Sequence, residues 1–235
     1  MKPAIILLAH LTKVQFSAPR TFYIIGAYWL LLSYIFSLVI TQLDHAHITP
    51  VFWWAGFASI FLIPCICLNS YQKGEGDSFF GLLRTLGPGY PTFTLCYFIQ
   101  ILILILTLDS MLGLHLLFIC IYASPDLGLH FAALGGLFLL QIAFASLSLF
   151  LSSITRDQLL YLIITILSLL GLWLLSYADQ LFSGSLLSVG QFLKASSPYR
   201  IFTHLMSGSC LPTDLLIMVI WITFPLGIAA IQGDS

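Results

Sequence analysis

Charged residues divide this chain into long apolar stretches. Six of the intervals between successive charges hold about as many residues as a helix needs to cross a bilayer, roughly 20. Their apolar residues run continuously and do not alternate with polar ones, which favours helices over the strands of a membrane barrel. The intervals lie between residues 20–44, 44–73, 84–109, 126–156, 157–179 and 214–234.

This pattern predicts an all-α, polytopic integral membrane protein that forms a single transmembrane domain over residues 1–235. Asp109 interrupts the third apolar run, so that span is either one long tilted helix or a helix with a bent end. The six transmembrane helices are predicted at about 21–42, 51–69, 92–118, 132–153, 159–178 and 214–232.

The composition agrees with a membrane protein. Hydrophobic residues make up 60% of the 235 residues and charged residues only 7%, whereas soluble domains carry about 25% charged residues. The net charge of −1 excludes a broad basic face for nucleic acid. The five cysteines lie mostly in or beside apolar runs and outline no disulfide framework.

The basic residues predict the orientation of the spans. With the N-terminus in the cytoplasm, only Lys194 and Arg200 of the eight basic residues lie outside, as the positive-inside rule requires. Six spans then return the C-terminus to the cytoplasm as well.

Residues 3–18 precede the first span and predict an amphipathic helix that lies on the membrane surface. The alternative is an N-terminal extension of the first span. A signal peptide is disfavoured because the apolar run "AIILLA" is short and Lys13 follows it. The predicted apolar face comprises Ala4, Leu7, Leu8, Leu11 and Val14.

Residues 70–91 form the one sizeable cytoplasmic loop of this topology. Within it, "SFFGLLRTL" predicts a short helix that begins at a capping Asp77 or Ser78 and ends before Gly87 and Pro88. This helix would bury its apolar face against the membrane, the protein's own helices or another protein. The apolar face comprises Phe79, Leu82, Leu83 and Leu86, with Arg84 pointing elsewhere.

Residues 179–212 form the longest segment predicted outside the cytoplasm. The stretches "FSGSLLSVGQFL" and "SPYRIFTHLMSGS" are too short to span and moderately apolar. They predict short helices before the last span that re-enter the outer leaflet or lie on it. The alternative is a plain outer loop.

Asp109 is the one acid set within an apolar run. Intramembrane acids are costly and mark functional sites. Asp109 nevertheless lies roughly 27 Å along its predicted span, which favours an interfacial or capping position over a place in a transport pathway. His45 and His47 are weak candidates for a metal site, since two histidines in a short loop are more often solvated.

The stretch "FLIPCICLNSYQKGEGDSFFGLLRTLGPGY" (61–90) resembles permease subunits of type-two (export) ABC transporters. It is most like the small six-span permeases of the gliding-motility and nitrous-oxide-reductase-maturation groups. The family's order of a proline, an acidic turn, a Leu-Leu helix, a threonine and a second proline is met by Pro64, Glu75, Leu82, Leu83, Thr85 and Pro88.

Further segments extend the resemblance over nearly the whole chain. They are 16–36, 124–140, 145–170 and 197–221, the last with His204 and Gly208 in place. The chain departs from the family in the loop helix, where Ser78, Phe79 and Gly81 stand in place of a Gly-Thr pair and a glutamate.

The resemblance implies a permease in a bacterial inner (plasma) membrane that forms the translocation pathway. The loop helix would be the coupling helix, and a cytoplasmic ATP-binding subunit would receive it. A second permease copy or a paralogue would complete the pathway, with Asp109 and His204 as candidates for the pathway or an outer gate. The coupling residues would be Glu75, Phe79, Leu82, Leu83, Arg84 and Thr85.

The chain itself is not expected to be an enzyme or to carry a cofactor. No GxxxxGK[ST] phosphate loop occurs in it, so ATP hydrolysis would belong to a separate chain. Three alternatives stay open. One is an ATP-independent transporter or channel, which predicts polar groups near the membrane midplane. The others are an intramembrane enzyme and a non-transporting subunit that anchors an ATPase.

Overall fold

A computed structural model describes residues 2–42, 49–68, 90–122, 125–155, 157–181 and 187–232. Within these ranges the chain is helical and contains no strand. A short 3₁₀ turn, Leu175–Tyr177, joins α6 to α7. The helices are α1 Lys2–Ser17, α2 Pro19–Gln42, α3 Thr49–Cys67, α4 Tyr90–Tyr122, α5 Leu127–Ile154, α6 Gln158–Leu174, α7 Ala178–Leu181, α8 Leu187–Ser196, α9 Pro198–Met206 and α10 Pro212–Gln232.

Six of the described helical segments are long and apolar enough to span a membrane. They are α2, α3, α4, α5, α10 and the segment Gln158–Gln180, which comprises α6, the 3₁₀ turn and most of α7. The predicted all-α class is therefore confirmed for the described residues, together with six helices that could cross a membrane. The third span is one continuous helix of 33 residues, which excludes a break at Asp109.

Helix α5 is the centre of the bundle. It packs against α3, α4, α6, α9 and α10. Of its most apolar stretch of 18 residues, 61% is buried, against 22% for the corresponding stretches of α2 and α10. Helices α2 and α10 therefore lie at the periphery, with large faces left for lipid or another chain.

Two of the acids that separate the apolar runs cap helices. Asp126 Oδ1 accepts a hydrogen bond of 3.2 Å from the Leu129 N–H at the start of α5. Asp157 Oδ1 accepts from the N–H groups of Leu159 and Leu160 at 2.8 and 3.1 Å at the start of α6. Both satisfy amide groups that have no partner within the first helical turn.

A serine on α5 compensates for a proline in α10. Pro225 has no N–H, so it cannot donate to the carbonyl of Trp221 four residues earlier. Ser146 Oγ lies 2.9 Å from that Trp221 carbonyl oxygen and 2.8 Å from the Ala143 carbonyl oxygen of its own helix, so its one proton is shared between two acceptors. The contact replaces part of the missing hydrogen bond and ties α10 to α5.

The N-terminal helix folds back on the bundle. A bend at Ala18 separates α1 from α2, and α1 packs mainly on α4. Leu7 and Leu11 are buried there, whereas Val14, predicted on the same face, is 47% exposed. The helix is therefore not a collinear extension of the first span, and its position at a membrane surface stays a prediction.

The segment before the last span forms compact helices and not a plain loop. Ile201 and Phe202 of α9 are fully buried. A Cβ at Gly136 of α5 would lie 2.8 Å from the Cβ of Leu205, which is closer than real contacts allow. Glycine therefore lets α9 approach the central helix. Helix α9 ends just before Gly208, whose φ of 72° favours glycine.

An aromatic cluster anchors α9 to α3 and α6. The rings of Tyr199 and Trp173 stack with centroids 3.6 Å apart, and Trp53 and Phe57 meet Trp173 edge-on, each with centroids 5.5 Å away. Burial raises the pKa of the Tyr199 phenol above its ordinary value, so the phenol stays neutral at physiological pH.

Candidate functional site

Four of the described spans bring polar side chains to one buried position. Tyr28 comes from α2, Ser59 from α3, Asp109 from α4 and Gln141 from α5, each from near the middle of its helix. None is more than 4% exposed. We call these four residues the mid-bundle cluster.

Gln141 holds the mid-bundle cluster together. Its Nε2 donates hydrogen bonds of 3.1 Å to both Asp109 Oδ1 and Ser59 Oγ. The Ser59 hydroxyl in turn donates to the carbonyl of Ala55 at 2.8 Å. Tyr28 lies beside the other three side chains. Helices α3, α4 and α5 are thus joined through one amide.

Two polar atoms of the mid-bundle cluster have no hydrogen-bond partner among the described residues: Asp109 Oδ2 and Gln141 Oε1. Buried polar atoms are nearly always paired, and an unpaired one costs roughly 1–3 kcal/mol. Two such atoms beside one another at a buried acid are unusual in a bundle selected only for stability. The cluster therefore has the character of a site that receives a proton, a cation or a donor group of a ligand.

The chemistry available to the mid-bundle cluster is limited by its composition. One carboxylate, one amide and two hydroxyls can accept or donate hydrogen bonds and can exchange a proton at Asp109 Oδ2. In the described part of the chain, no group of three or more His, Cys, Asp or Glu residues is arranged to hold a metal ion. The arrangement suits binding better than bond-breaking chemistry.

Further polar groups line the contact between α2 and α4. Trp29 Nε1 donates to the Leu108 carbonyl at 3.2 Å. His115 stacks on Phe36, with ring centroids 4.1 Å apart, and its Nε2 lies 3.5 Å from Ser33 Oγ. His115 is 6% exposed. The α2–α4 contact thus carries a second titratable group six residues beyond Asp109.

Asp109 does not occupy the predicted capping position, and its predicted location near the membrane interface stays a prediction. Helix α4 continues to Tyr122, well past Asp109, so the residue caps nothing. Its side chain is 4% exposed because neighbouring helices cover it.

His204 is located at the joint between α9 and α10. Its Nδ1 lies 3.0 Å from Asp214 Oδ2, and the same carboxylate oxygen accepts from the Leu211 N–H at 3.2 Å. Asp214 is 5% exposed. Asp214 thus closes the first turn of α10 and fixes His204. His204 shares no partner with Asp109, and its predicted role as a gate stays a prediction.

The remaining predicted site residues lie outside the described ranges. These are the weak metal candidates His45 and His47 and the predicted coupling residues Glu75, Phe79, Leu82, Leu83, Arg84 and Thr85. The predicted coupling helix lies outside them too.

Sequence reasoning missed Tyr28, Ser59 and Gln141. Gln141 left a trace, since it is a lone amide within an apolar run. Tyr28 and Ser59 are ordinary residues of apolar helices, and only packing across 82 residues of sequence joins Ser59 to Gln141.

Comparison with protein-family models, with curated proteins and with solved structures finds no match.

Proposed function

We propose that the chain is the membrane-spanning permease subunit of an ABC exporter in a bacterial inner membrane, with both termini in the cytoplasm. It would form the translocation pathway. ATP binding and hydrolysis on a separate subunit would drive the movement of this pathway. The proposal rests on the resemblance of residues 61–90 and of four further segments.

The observation that carries the proposal is the order of the described elements. A separate N-terminal helix folds back on the bundle, two spans follow, and residues 69–89 separate them from four more spans. Two short helices precede the last span, and the second of them, α9, is largely buried. The segment to which the resemblance assigns ATPase coupling falls between the second and third spans, on the side with most of the basic residues.

Coupling would work by rigid-body motion. The apolar residues of "SFFGLLRTL" and Arg84 would dock on the ATP-binding subunit, and its closure on ATP would move α3 and α4. The mid-bundle cluster joins both of these spans to α5, so a movement of either would change the surroundings of Asp109. A second permease copy or a paralogue would supply the other wall of the pathway.

The direct test is co-purification of the chain from its native host, with mass spectrometry to identify bound proteins. A stoichiometric ATP-binding subunit is expected. Leu83→Asp and Arg84→Asp should release it while the membrane bundle stays folded. Ser185→Asp, in the segment predicted to lie outside, is the control and should retain the subunit. Retention by both loop variants would refute the coupling assignment.

The predicted orientation has its own test in Cys210. This native cysteine is exposed between α9 and α10, in the segment predicted outside. A membrane-impermeant maleimide should label it in cells, and Cys210→Ser should remove that label. Labelling of Cys210 only after the membrane is opened would reverse the orientation.

The mid-bundle cluster favours a second candidate function, an ATP-independent transporter. Such proteins place ionisable groups near the membrane midplane and couple transport to a proton or cation. If the chain purifies without an ATP-binding subunit, proteoliposomes containing it alone should take up protons or Na⁺ when a gradient is imposed. Asp109→Asn should abolish that flux. Flux unchanged in this variant would exclude the second candidate.

A further inference from the structure

A long apolar groove runs along the outer side of the bundle between α2 and α3. Its volume is about 910 Å³. Its lining runs from Ile24 to Val39 on α2 and from Cys65 back to Pro50 on α3, so it follows both helices for most of their length. At 1.5 Å per residue the α2 side is about 22 Å long, which exceeds the ~15 Å of one leaflet.

The groove ends at a cation. Arg20 stands four residues before Ile24 on the same helical stripe. Its Nη2 donates a hydrogen bond of 2.8 Å to the carbonyl of Cys65, a groove-lining residue. Arg20 is exposed, and its guanidinium carries five N–H donors in all. An apolar channel with a guanidinium at one end is complementary to an anionic amphiphile.

We propose that this groove is a binding site for an anionic phospholipid, with an acyl chain lying between α2 and α3 and the phosphate on Arg20. The site is independent of the proposed function, because it would exist whether or not an ATP-binding subunit is present. The proposed occupant is a lipid whose headgroup carries a net negative charge.

The irregular wall of the groove and the cation at its end suit a lipid better than a helix of another chain. Acyl chains are thin and adapt to irregular walls. Exposed aromatic rings such as Tyr34 and Trp54, 64% and 45% exposed, give the groove a rough edge that a flexible chain can follow.

The groove and the mid-bundle cluster share one wall. Tyr28 borders the groove, while its hydroxyl lies beside Asp109, Ser59 and Gln141. An acyl chain in the groove would therefore contact a ring whose hydroxyl lies beside the buried acid.

The test is photo-crosslinking on the purified full-length chain. Phe61, 43% exposed in the groove, is replaced by p-benzoylphenylalanine, and the same analogue at Phe224 of α10, 67% exposed, is the control. Delipidated protein in detergent receives less than one equivalent of phosphatidylglycerol or of phosphatidylcholine with the same chains. Mass spectrometry of the irradiated chain counts the lipid adducts.

Phosphatidylglycerol adducts are expected at Phe61 and not at Phe224, and phosphatidylcholine should give fewer. Arg20→Gln should weaken the phosphatidylglycerol adduct roughly tenfold, and Arg20→Lys less, because a lysine keeps the charge but not the fork. Ala58→Phe fills the groove and should abolish the adduct, whereas Ala230→Phe on α10 should not.

Four outcomes would overturn the proposal. Equal adducts with the two lipids, or no effect of Arg20→Gln, would mean unspecific contact with lipid. An adduct of twice the chain mass in native membranes would assign the groove to a second copy of this chain. An adduct with a different protein would assign it to that partner.

Discussion

The mid-bundle cluster and the joint between α9 and α10 both bury an acid, but they treat it differently. At the joint, Asp214 Oδ2 meets both His204 Nδ1 and the Leu211 N–H. In the mid-bundle cluster, Asp109 has one neutral partner for Oδ1 and none among the described residues for Oδ2. The joint holds two helices in place, whereas the cluster leaves an acceptor vacant inside the bundle.

The contrast separates polar groups that stabilise a membrane bundle from those that weaken it. A fully paired buried acid can stabilise the fold, whereas a partly paired one costs free energy and persists for another reason. The joint has one acid, which is paired, and its helix α9 also packs closely on α5 at Gly136. The mid-bundle cluster lies deeper and is less satisfied, which indicates binding and not architecture.

The largest effect is expected where α9 approaches α5. Gly136→Ala would place a Cβ 2.8 Å from the Leu205 Cβ, and such overpacking costs about 1–3 kcal/mol. A Cβ at the neighbouring Gly135 would have no neighbouring group within 4 Å, so Gly135→Ala should leave the stability unchanged or slightly raised. Thermal unfolding in detergent compares the two. Equal melting temperatures would mean that α9 does not pack as described.

A somewhat smaller loss is expected from the acid of the joint. Asp214→Ala removes both the contact to His204 and the bond from Leu211, and should cost about 2 kcal/mol. Asp157→Ala, which removes a cap without a histidine partner, should cost about 1 kcal/mol. If the two variants unfold at the same temperature, the His204 contact contributes nothing.

The serine that compensates for Pro225 should have a modest effect. Ser146→Ala leaves the Trp221 carbonyl without its donor and should cost about 1 kcal/mol. Ser148 donates to Phe144 of its own helix at 2.7 Å, so Ser148→Ala is the matched control and should cost less. A larger loss in the control would show that Ser146 does not compensate for the proline.

The smallest effect is expected from replacing Asp109 and Gln141 of the mid-bundle cluster together. Asp109→Leu combined with Gln141→Leu should leave the unfolding temperature unchanged or raise it, because apolar replacement of both partners removes buried polar groups. Gln141→Leu alone should lower it, because Asp109 Oδ1 then loses its donor. If the double variant unfolds at a lower temperature than the unsubstituted chain, the cluster has a structural role.

Much of the fold followed from where the charges fall. Asp126 and Asp157 mark helix starts, and the apolar intervals between charges match five of the six spans to within about six residues. The third span is the exception, because it continues past Asp109 to Tyr122. The cluster did not follow, because the partners of Asp109 are uncharged and lie on other helices. The packing of α9 depends on Gly136 meeting Leu205 across the bundle, a contact that no local pattern encodes.

The most direct measurement compares Asp109→Asn with Asp214→Asn by thermal unfolding in the same detergent. Both changes keep the side-chain shape and remove the charge. The account predicts that Asp214→Asn lowers the unfolding temperature and that Asp109→Asn leaves it unchanged or raises it. A clear loss of stability in Asp109→Asn would contradict the claim that the mid-bundle cluster is kept for binding.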